Sequence, residues 1–345
     1  MNKKILITGG SGFIGSFLVE EALRQGHEVW AIIRRTSSLT YLQDSRIHLL
    51  EATMGDANAL KAQLQKALTA MHTSDSSTTP NRWDYVIHCA GLTKTVDKRQ
   101  FDTVNYQHTV HLVETLEALD ARPERFVLMS SLSIFGPIHE QDYAPITLKD
   151  SPQPNTAYGK SKLKAEQYLQ SLEEYPYIIM RPTGVYGPRD KDYFLMAKSI
   201  AQHIDTAVGY TQQIITFIYV QDLVDAVYAA LAKGINRKSY FLSDGEEYSS
   251  TDYSDLLRRE LGNPWMIRLR FPLWVLWSVS ALLENISTIT KKPSTLNLDK
   301  YQIMKQRNWR CDISAAQKDF GYQPKVTLAE GARRCIKWYQ QTKWL

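Results

Sequence analysis

The sequence predicts an α/β fold, a doubly wound parallel sheet followed by a smaller, mostly helical C-terminal substrate domain. Three observations predict it. Short apolar runs alternate with longer helical patterns through the first half of the chain, and a glycine-spaced turn joins the first run to the first helix. After Arg181 the alternation weakens while Gly, Pro and aromatic residues increase. Strand–helix alternation of this kind gives parallel strands covered on both faces, and such sheets bind ligands at the carboxyl ends of their strands.

In order, Lys4–Thr8 reads as a strand, Phe13–Gln25 as a helix, Glu28–Ile33 and Ile47–Ala52 as strands, and Ala57–Ala70 as a helix. Trp83–Cys89 is the next strand, then helix Phe101–Leu119, strand Arg125–Ser130, helix Tyr158–Leu172 and strand Tyr177–Arg181. Polar His72–Asn81 reads as an exposed loop. Ile138–Thr156 carries Pro145, Pro152 and Pro154, which exclude a continuous helix. Gln221–Lys233 and Ser239–Ser243 read as a helix and strand returning to the main sheet. The expected division is therefore a dinucleotide-binding domain over 1–181, with 215–243 returning to it, and a substrate domain over 182–214 and 244–345.

Composition excludes more than it assigns. At 345 residues, 43% hydrophobic and 22% charged, the chain is an ordinary globular protein. Its net charge of +5 is spread without a long basic block, so no nucleic-acid partner is expected. Cys89, Cys311 and Cys335 show neither a disulfide framework nor zinc-ligand spacing, and no metal is expected. MNKKILITGG enters a strand directly with no apolar leader, which points to the cytoplasm. The longest apolar stretch, Phe271 to Leu283, is interrupted by Ser278 and Ser280, ends at Glu284, and reads as too short to span a bilayer.

The segment ILITGGSGFIGSFLVE sets Gly9, Gly12 and Gly15 between a strand and an amphipathic helix. Glycine serves where the chain turns sharply and where backbone must approach a pyrophosphate, and the helix N-terminus adds free amides and a positive dipole end. In this context the fold becomes Rossmann-type and the ligand a dinucleotide. Dinucleotide folds often place an acid at the end of the second strand for the ribose 2′-hydroxyl. Here Arg34 and Arg35 stand there, followed by hydroxyl residues. Guanidinium forks suit a 2′-phosphate, so NADP(H) is favoured, with NAD(H) the alternative.

Tyr158 and Lys162 lie i and i+4 on one helix face. A Tyr hydroxyl near pKa ~10 is a poor acid–base at neutral pH, and a neighbouring ammonium is expected to favour its ionised form. The pair follows a strand ending Val127-Leu-Met-Ser130-Ser131, where a hydroxyl can hold a substrate carbonyl opposite the tyrosine.

TGGSGFIG, DYVIHCAG, VNYQHTVHLVE, SSLSIFGP, YGKSK and RPTGVYGPRD, in this order and spacing, resemble the extended short-chain dehydrogenase/reductase family. That family includes the NAD-dependent epimerases and dehydratases and the 3β-hydroxysteroid-dehydrogenase-like reductases. The resemblance runs through nearly the whole chain. It implies Tyr158 as catalytic acid–base and Lys162 as the residue that lowers its pKa and holds the nicotinamide ribose. It implies Ser131 as the catalytic hydroxyl, with Ser130 and Ser133 as alternatives, and Asn105 as a structural and proton-relay amide. The implied cofactor set is Gly9, Gly12, Phe13, Ile14 and Gly15 on the loop, Arg34 and Arg35, Asp56 toward the adenine, Ala90 and Gly91 as backbone lining, Lys162, and Pro182. His88 reads as a packed or backbone-tied histidine. The family resemblance also implies a homodimer pairing Phe101–Leu119 with Tyr158–Leu172 across a two-fold.

Two departures bear on substrate. Sugar-nucleotide members carry an asparagine where this chain has Gly184, and an arginine at the position of Ile215; both would meet the substrate's phosphates. Their loss favours an apolar, lipid-, steroid- or polyphenol-like small molecule. The expected reaction interconverts a ketone and a secondary alcohol. The alternatives are a nucleotide-sugar epimerase or dehydratase with tightly held NAD, and a non-catalytic cofactor-binding scaffold. Residues 265–292, with three tryptophans and flanking Arg268, Arg270, Lys291 and Lys292, read as a core helix of the small domain, a substrate wall, or a peripheral membrane contact.

Overall fold

Apolar residues fill successive positions of the first strands rather than alternate ones, the pattern of strands buried on both faces. The computed structural model describes residues 2–74, 81–292, 294 and 296–345. Its elements run β1 (Lys4–Thr8), α1 (Phe13–Arg24), β2 (Glu28–Ile33), β3 (Ile47–Glu51), α2 (Ala57–Ser74) and β4 (Tyr85–His88). A continuous helical rod follows: α3 (Arg99–Phe101), a π-helical stretch over Asp102–Gln107, and α4 (His108–Ala118). Then come β5 (Arg125–Met129), α5 (Ala157–Ser171), β6 (Tyr177–Pro182), β7 (Gly184–Tyr186), α6 (Asp192–Ala201), β8 (Ile204–Val208), β9 (Phe217–Tyr219), α7 (Val220–Lys233) and β10 (Lys238–Leu242). The chain finishes with α8 (Asp252–Glu260), β11 (Ile267–Phe271), α9 (Leu273–Thr290), α10 (Leu298–Lys305), α11 (Ser314–Phe320) and α12 (Leu328–Gln341).

Seven strands form one parallel sheet in the order β10–β6–β5–β4–β1–β2–β3. Strand alternation sorts its side chains to two faces. Ile5, Ile7, Val29, Ala31, Val127 and Met180 pack under α1, α7 and α11. Leu6, Trp30, Ile32, Val86, Phe126 and Ile179 pack under α2, α4 and α5. Fully buried Trp83 meets Trp30 edge-on at 6.3 Å. The strand order reverses between β1 and β4, so the crevice for a ligand opens where these two end.

The second lobe is built on an aromatic cluster in which Tyr186, Tyr193, Phe217 and Tyr253 meet at 5.3–6.3 Å, backed by α6, α8 and α12. It also holds two small parallel sheets, β7 with β9 and β8 with β11.

Several expectations are corrected. Of the segment 215–243, α7 and β10 return to the main sheet, but β9 pairs β7, because β10 already occupies the free edge of β6 through Leu242↔Pro182. Helix α2 runs on to Ser74, so the expected loop starts later; its residues 75–80 lie outside the described residues. The apolar stretch near the C-terminal third is not broken at its serines. Helix α9 is continuous for 18 residues, long and apolar enough by length and composition to cross a membrane. The Ser278 hydroxyl donates to the Trp274 carbonyl at 2.9 Å, and Glu284 is held by Lys98 at 2.8 Å and accepts from the Leu298 amide at 2.8 Å. Neither residue type therefore interrupts the helix. Nor is α9 a core helix, since only Leu276, Ser280 and Ser287 are buried.

Candidate active site

Two of the three glycines of the first turn, Gly9 and Gly15, are required by a close backbone approach, and Gly12 is tightly placed. Gly9 has φ +73, and a Cβ there would lie 2.7 Å from the Ala90 nitrogen. A Cβ on Gly12 would lie 3.2 Å from the Gly9 carbonyl, and one on Gly15 only 2.0 Å from it. The Gly12 amide donates to the Gly9 carbonyl at 2.9 Å. Helix α1 then starts at Phe13 and Ile14 with no side chain capping it, leaving amides directed at the crevice. A cradle with no room for Cβ and uncapped amides fits a dinucleotide pyrophosphate.

Beside this loop the end of β4 is held by a buried hydrogen-bond chain. The Ala90 amide donates to Thr8 Oγ1 at 3.0 Å, and Thr8 Oγ1 lies 2.8 Å from His88 Nδ1. His88 Nε2 lies 3.1 Å from Thr109 Oγ1, which donates to the Asn105 carbonyl at 2.9 Å. Thr109 spends its proton on that carbonyl, so it accepts from His88 and the imidazole carries its proton on Nε2. Burial pushes the His88 pKa down to about 3, with the Lys162 charge adding to the effect. His88 is thus a packed, neutral histidine tied by hydroxyls.

Asn105 sits buried on the π-helical stretch, a distortion frequent at functional sites. Its Oδ1 accepts from the Leu92 amide at 2.7 Å, and its Nδ2 donates to the Leu92 carbonyl and to Ser161 Oγ, both at 3.0 Å. The side chain pins the loop after Gly91 to α5. A Cβ on Gly91 would lie 3.0 Å from Lys162 Nζ and 3.2 Å from Asn105 Oδ1.

The three candidate serines separate cleanly. Ser130 is buried and donates to Glu166, which pairs with Arg181 at 2.6 Å beneath the site. Ser131 is half-buried, its Oγ 2.7 Å from Ser133 Oγ and within hydrogen-bonding reach of Tyr158. Ser133 bonds Ser131 rather than the tyrosine. Tyr158 and Lys162 stand on α5, whose N-cap Thr156 accepts from the Gly159 amide at 3.0 Å. The Phe101 ring packs edge-on to Tyr158 at 6.1 Å.

The electrostatics differ from the sequence expectation. Burial pushes the Tyr158 hydroxyl up to about 12, and its contact with Ser131 only partly offsets this. Lys162 is itself buried, lowered to about 8, and donates to the Met129 carbonyl at 2.8 Å. Among the protein's own groups, desolvation outweighs the ammonium's pull on the phenol.

The cofactor's far end is more open. Arg34 and Arg35 are exposed past β2, and among the described residues neither guanidinium has a carboxylate partner. Asp56 caps α2, its Oδ1 accepting from the amides of Asn58 and Ala59 at 3.0 Å. Pro182 is buried at the end of β6, and the next hydroxyl, Thr183 Oγ1, is buried without a hydrogen-bond partner.

The model of the NAD dependent epimerase/dehydratase family matches residues 5–242. The chain belongs to that family. It is 26% identical to a UDP-glucose 4-epimerase of Vibrio cholerae, covering 99% of this chain and 97% of the relative. It is 24% identical to a 3 beta-hydroxysteroid dehydrogenase/Delta 5-->4-isomerase of Mycobacterium tuberculosis, covering 97% and 90%. The dTDP-glucose 4,6-dehydratase of Streptomyces venezuelae, solved with NAD bound, superposes with a TM-score of 0.77 at 19% identity over 99% of this chain and 98% of that one. The protein is an NAD(P)-dependent enzyme of the extended short-chain dehydrogenase/reductase type.

Two residues of the second lobe bear on the substrate. A Cβ on Gly184 would lie 2.5 Å from the Tyr193 hydroxyl, which stands over that position. Ile215 packs among the aromatic residues of the second lobe and exchanges backbone hydrogen bonds with Tyr248.

Sequence reasoning missed the groups that join the lobes. Asp299 on α10 accepts from the Ala157 amide at 2.9 Å, directly before Tyr158, and pairs with Lys98 at 3.4 Å. Arg189 donates to Ser16 at 3.0 Å and Glu20 at 2.7 Å, between the rings of Phe17 and Tyr41. Lys94 pairs with Asp192 across the mouth. Arg189 lay inside a quoted motif, whereas Asp299 is 142 residues from its partner and carries no local signal.

Proposed function

We propose that this enzyme interconverts a ketone and a secondary alcohol on an apolar, lipid-, steroid- or polyphenol-like small molecule, with NADP(H) as its favoured cofactor. The substrate reading is supported by Gly184, over which the Tyr193 hydroxyl stands, and by Ile215 in an aromatic cluster, at the positions where the family resemblance implies an amide and a cation in sugar-nucleotide members. A diphosphate would meet no fixed donor at those two points. The 3 beta-hydroxysteroid dehydrogenase relative acts, by its name, on an apolar substrate.

When bound, the nicotinamide supplies the hydride. Ser131 holds the substrate oxygen, Tyr158 moves the proton to or from that oxygen, and Lys162 contributes positive charge beside the phenol. Asn105 keeps the loop at Ala90 and Gly91 in register with α5. Arg34 and Arg35, exposed and without acidic partners among the described residues, support a 2′-phosphate contact.

A nucleotide-sugar epimerase or dehydratase with tightly held NAD is the second reading, favoured by the Vibrio cholerae relative and the NAD-bound neighbour. Two measurements decide. The purified enzyme is titrated with NADPH and NADH and then screened for turnover of hydrophobic ketones; tighter NADPH binding, weakened on Arg34→Ala with Arg35→Ala, and ketone turnover are expected. Tyr158→Phe should abolish turnover and leave cofactor affinity intact. Release of NAD⁺ on denaturation together with UDP-sugar epimerisation would overturn the reading. Unchanged function in Tyr158→Phe would identify a scaffold.

A further inference from the structure

The second lobe has one surface whose polarity is inverted. Twelve of the seventeen exposed large apolar side chains among the described residues lie in two segments, 204–210 and 265–289. The segments are neighbours: β8 pairs β11, Gly209 donates to the Phe271 carbonyl at 2.8 Å, and α9 follows β11 through Pro272. On the two-stranded sheet Ile204, Ile267, Leu269 and Phe271 face outward, while Asp205 and Ala207 are buried and Arg268 turns in to pair with Asp205 at 2.6 Å. Helix α9 repeats the inversion. Its inward line at helical spacing is Leu276, Ser280, Glu284 and Ser287; its outward face carries Trp274 at 72% exposure, Trp277 at 51%, Leu282 at 59% and Ile289 at 82%. A surface helix of a water-soluble protein places these classes the other way round, and soluble monomers rarely expose so continuous an apolar patch.

Three further features select the occupant. The hydroxyls of α9 outside its buried line satisfy themselves within the helix: Ser278 donates to the Trp274 carbonyl at 2.9 Å, Thr288 to Asn285 at 2.6 Å and Thr290 to Ile286 at 2.9 Å. That is the arrangement an apolar medium demands. The only carboxylate of α9, Glu284, is drawn inward to Lys98. The ends of the patch carry Arg270 on one side and Lys291 and Lys292 on the other, all exposed and without a carboxylate partner among the described residues, and Trp274 and Trp277 present exposed indoles of the kind that settle at headgroup level.

We infer that β11 and α9, with the adjoining face of β8, form a docking surface for an anionic lipid bilayer, in which α9 lies along the interface with its outward face among the acyl chains. The fixed line Ser280–Glu284–Ser287 keeps the helix on the protein, so it rests in the interface and does not cross. Through Lys98 and Asp299 the inward side of α9 connects to the N-terminus of α5, the helix that carries Tyr158. The inference goes beyond the proposed reaction and holds whatever the substrate is.

The test is co-sedimentation of the full-length enzyme with phosphatidylglycerol vesicles and with phosphatidylcholine vesicles. Pelleting with phosphatidylglycerol is expected, weakening as salt rises, with a blue shift of indole emission and its quenching by bromine-labelled acyl chains. Lys291→Ala with Lys292→Ala should lower partitioning on the order of tenfold. Trp274→Glu with Trp277→Glu should abolish it while NADPH or NADH binding persists, which shows that the variant is folded. The quenching measurement needs no variant. Failure of the native enzyme to pellet with phosphatidylglycerol overturns the inference, and elution as a dimer that Trp274→Glu with Trp277→Glu converts to monomer would assign the surface to a second copy of the chain.

Discussion

At the residue scale, burial decides the chemistry of the site more than neighbouring charge does. Tyr158 lies up at about 12 and Lys162 down at about 8 because both lose water, and the Lys162 ammonium is engaged by a backbone carbonyl. His88 is the clearest case. Its folded pKa of about 3 lies below the ordinary value of 6.5, so the unfolded chain takes up a proton that the folded chain refuses. Above pH 6.5 both states are neutral and the group is silent. As pH falls from 6.5 toward 3, it should remove about 1.4 kcal/mol of stability per pH unit. Denaturant melts across that window should show the slope, and His88→Gln should reduce it by one proton, at the expense of stability at neutral pH from the altered hydrogen-bond chain. An unchanged slope in His88→Gln would show that His88 is not the group responsible.

At the scale of elements, the loop between β1 and α1 is the most constrained. A methyl at Gly15 would sit 2.0 Å from the Gly9 carbonyl, and one at Gly9 would meet Ala90 backbone, so neither position can accept a side chain without moving β1 or β4. Gly15→Ala should cost about 1–3 kcal/mol from overpacking and weaken NADPH and NADH together, measured by thermal melts and fluorescence titration. Gly26→Ala is the control for chain strain alone, since it has φ +78 and no atom within 4 Å of its added Cβ. It should lose stability and retain cofactor affinity. Equal losses of affinity in both variants would place the effect of Gly15→Ala in general instability.

At the scale of the molecule, the two lobes are joined at α5, the helix that carries Tyr158 and Lys162. Asp299 caps the start of α5 from 142 residues away and shares Lys98 with Glu284 of α9. Asp299→Ala should therefore loosen α10 from α5, costing about 1 kcal/mol of stability. It should raise KM for the reducible substrate without changing cofactor Kd, because the glycine loop lies on the other side of β4. Steady-state kinetics beside direct cofactor titration separate the two. A rise in cofactor Kd with substrate KM unchanged would show that the lobes are coupled through the dinucleotide instead.

The alternation of apolar runs and helices is enough to read the parallel sheet, and the spacing of Gly9, Gly12 and Gly15 the tight turn between β1 and α1, because each is a local pattern with one backbone solution. The position of Ser131 opposite Tyr158, and of Ser130 beneath it against Glu166, was open until the fold turned one hydroxyl up and the next one down. The raised pKa of Tyr158 is not legible in the sequence, since i,i+4 spacing reports proximity and says nothing of lost solvation. Nor is helix α9. Its serines and Glu284 read as breaks in an apolar run, yet in the fold Ser280 and Glu284 lie on the inward line of a continuous helix, Ser278 bonds within the helix, and the tryptophans face outward. Sequence determines the cofactor loop and the catalytic spacing because those depend on neighbours within a turn or a helix. Only tertiary structure decides which groups lose water and which apolar faces keep none of the protein against them, because both depend on what distant segments cover.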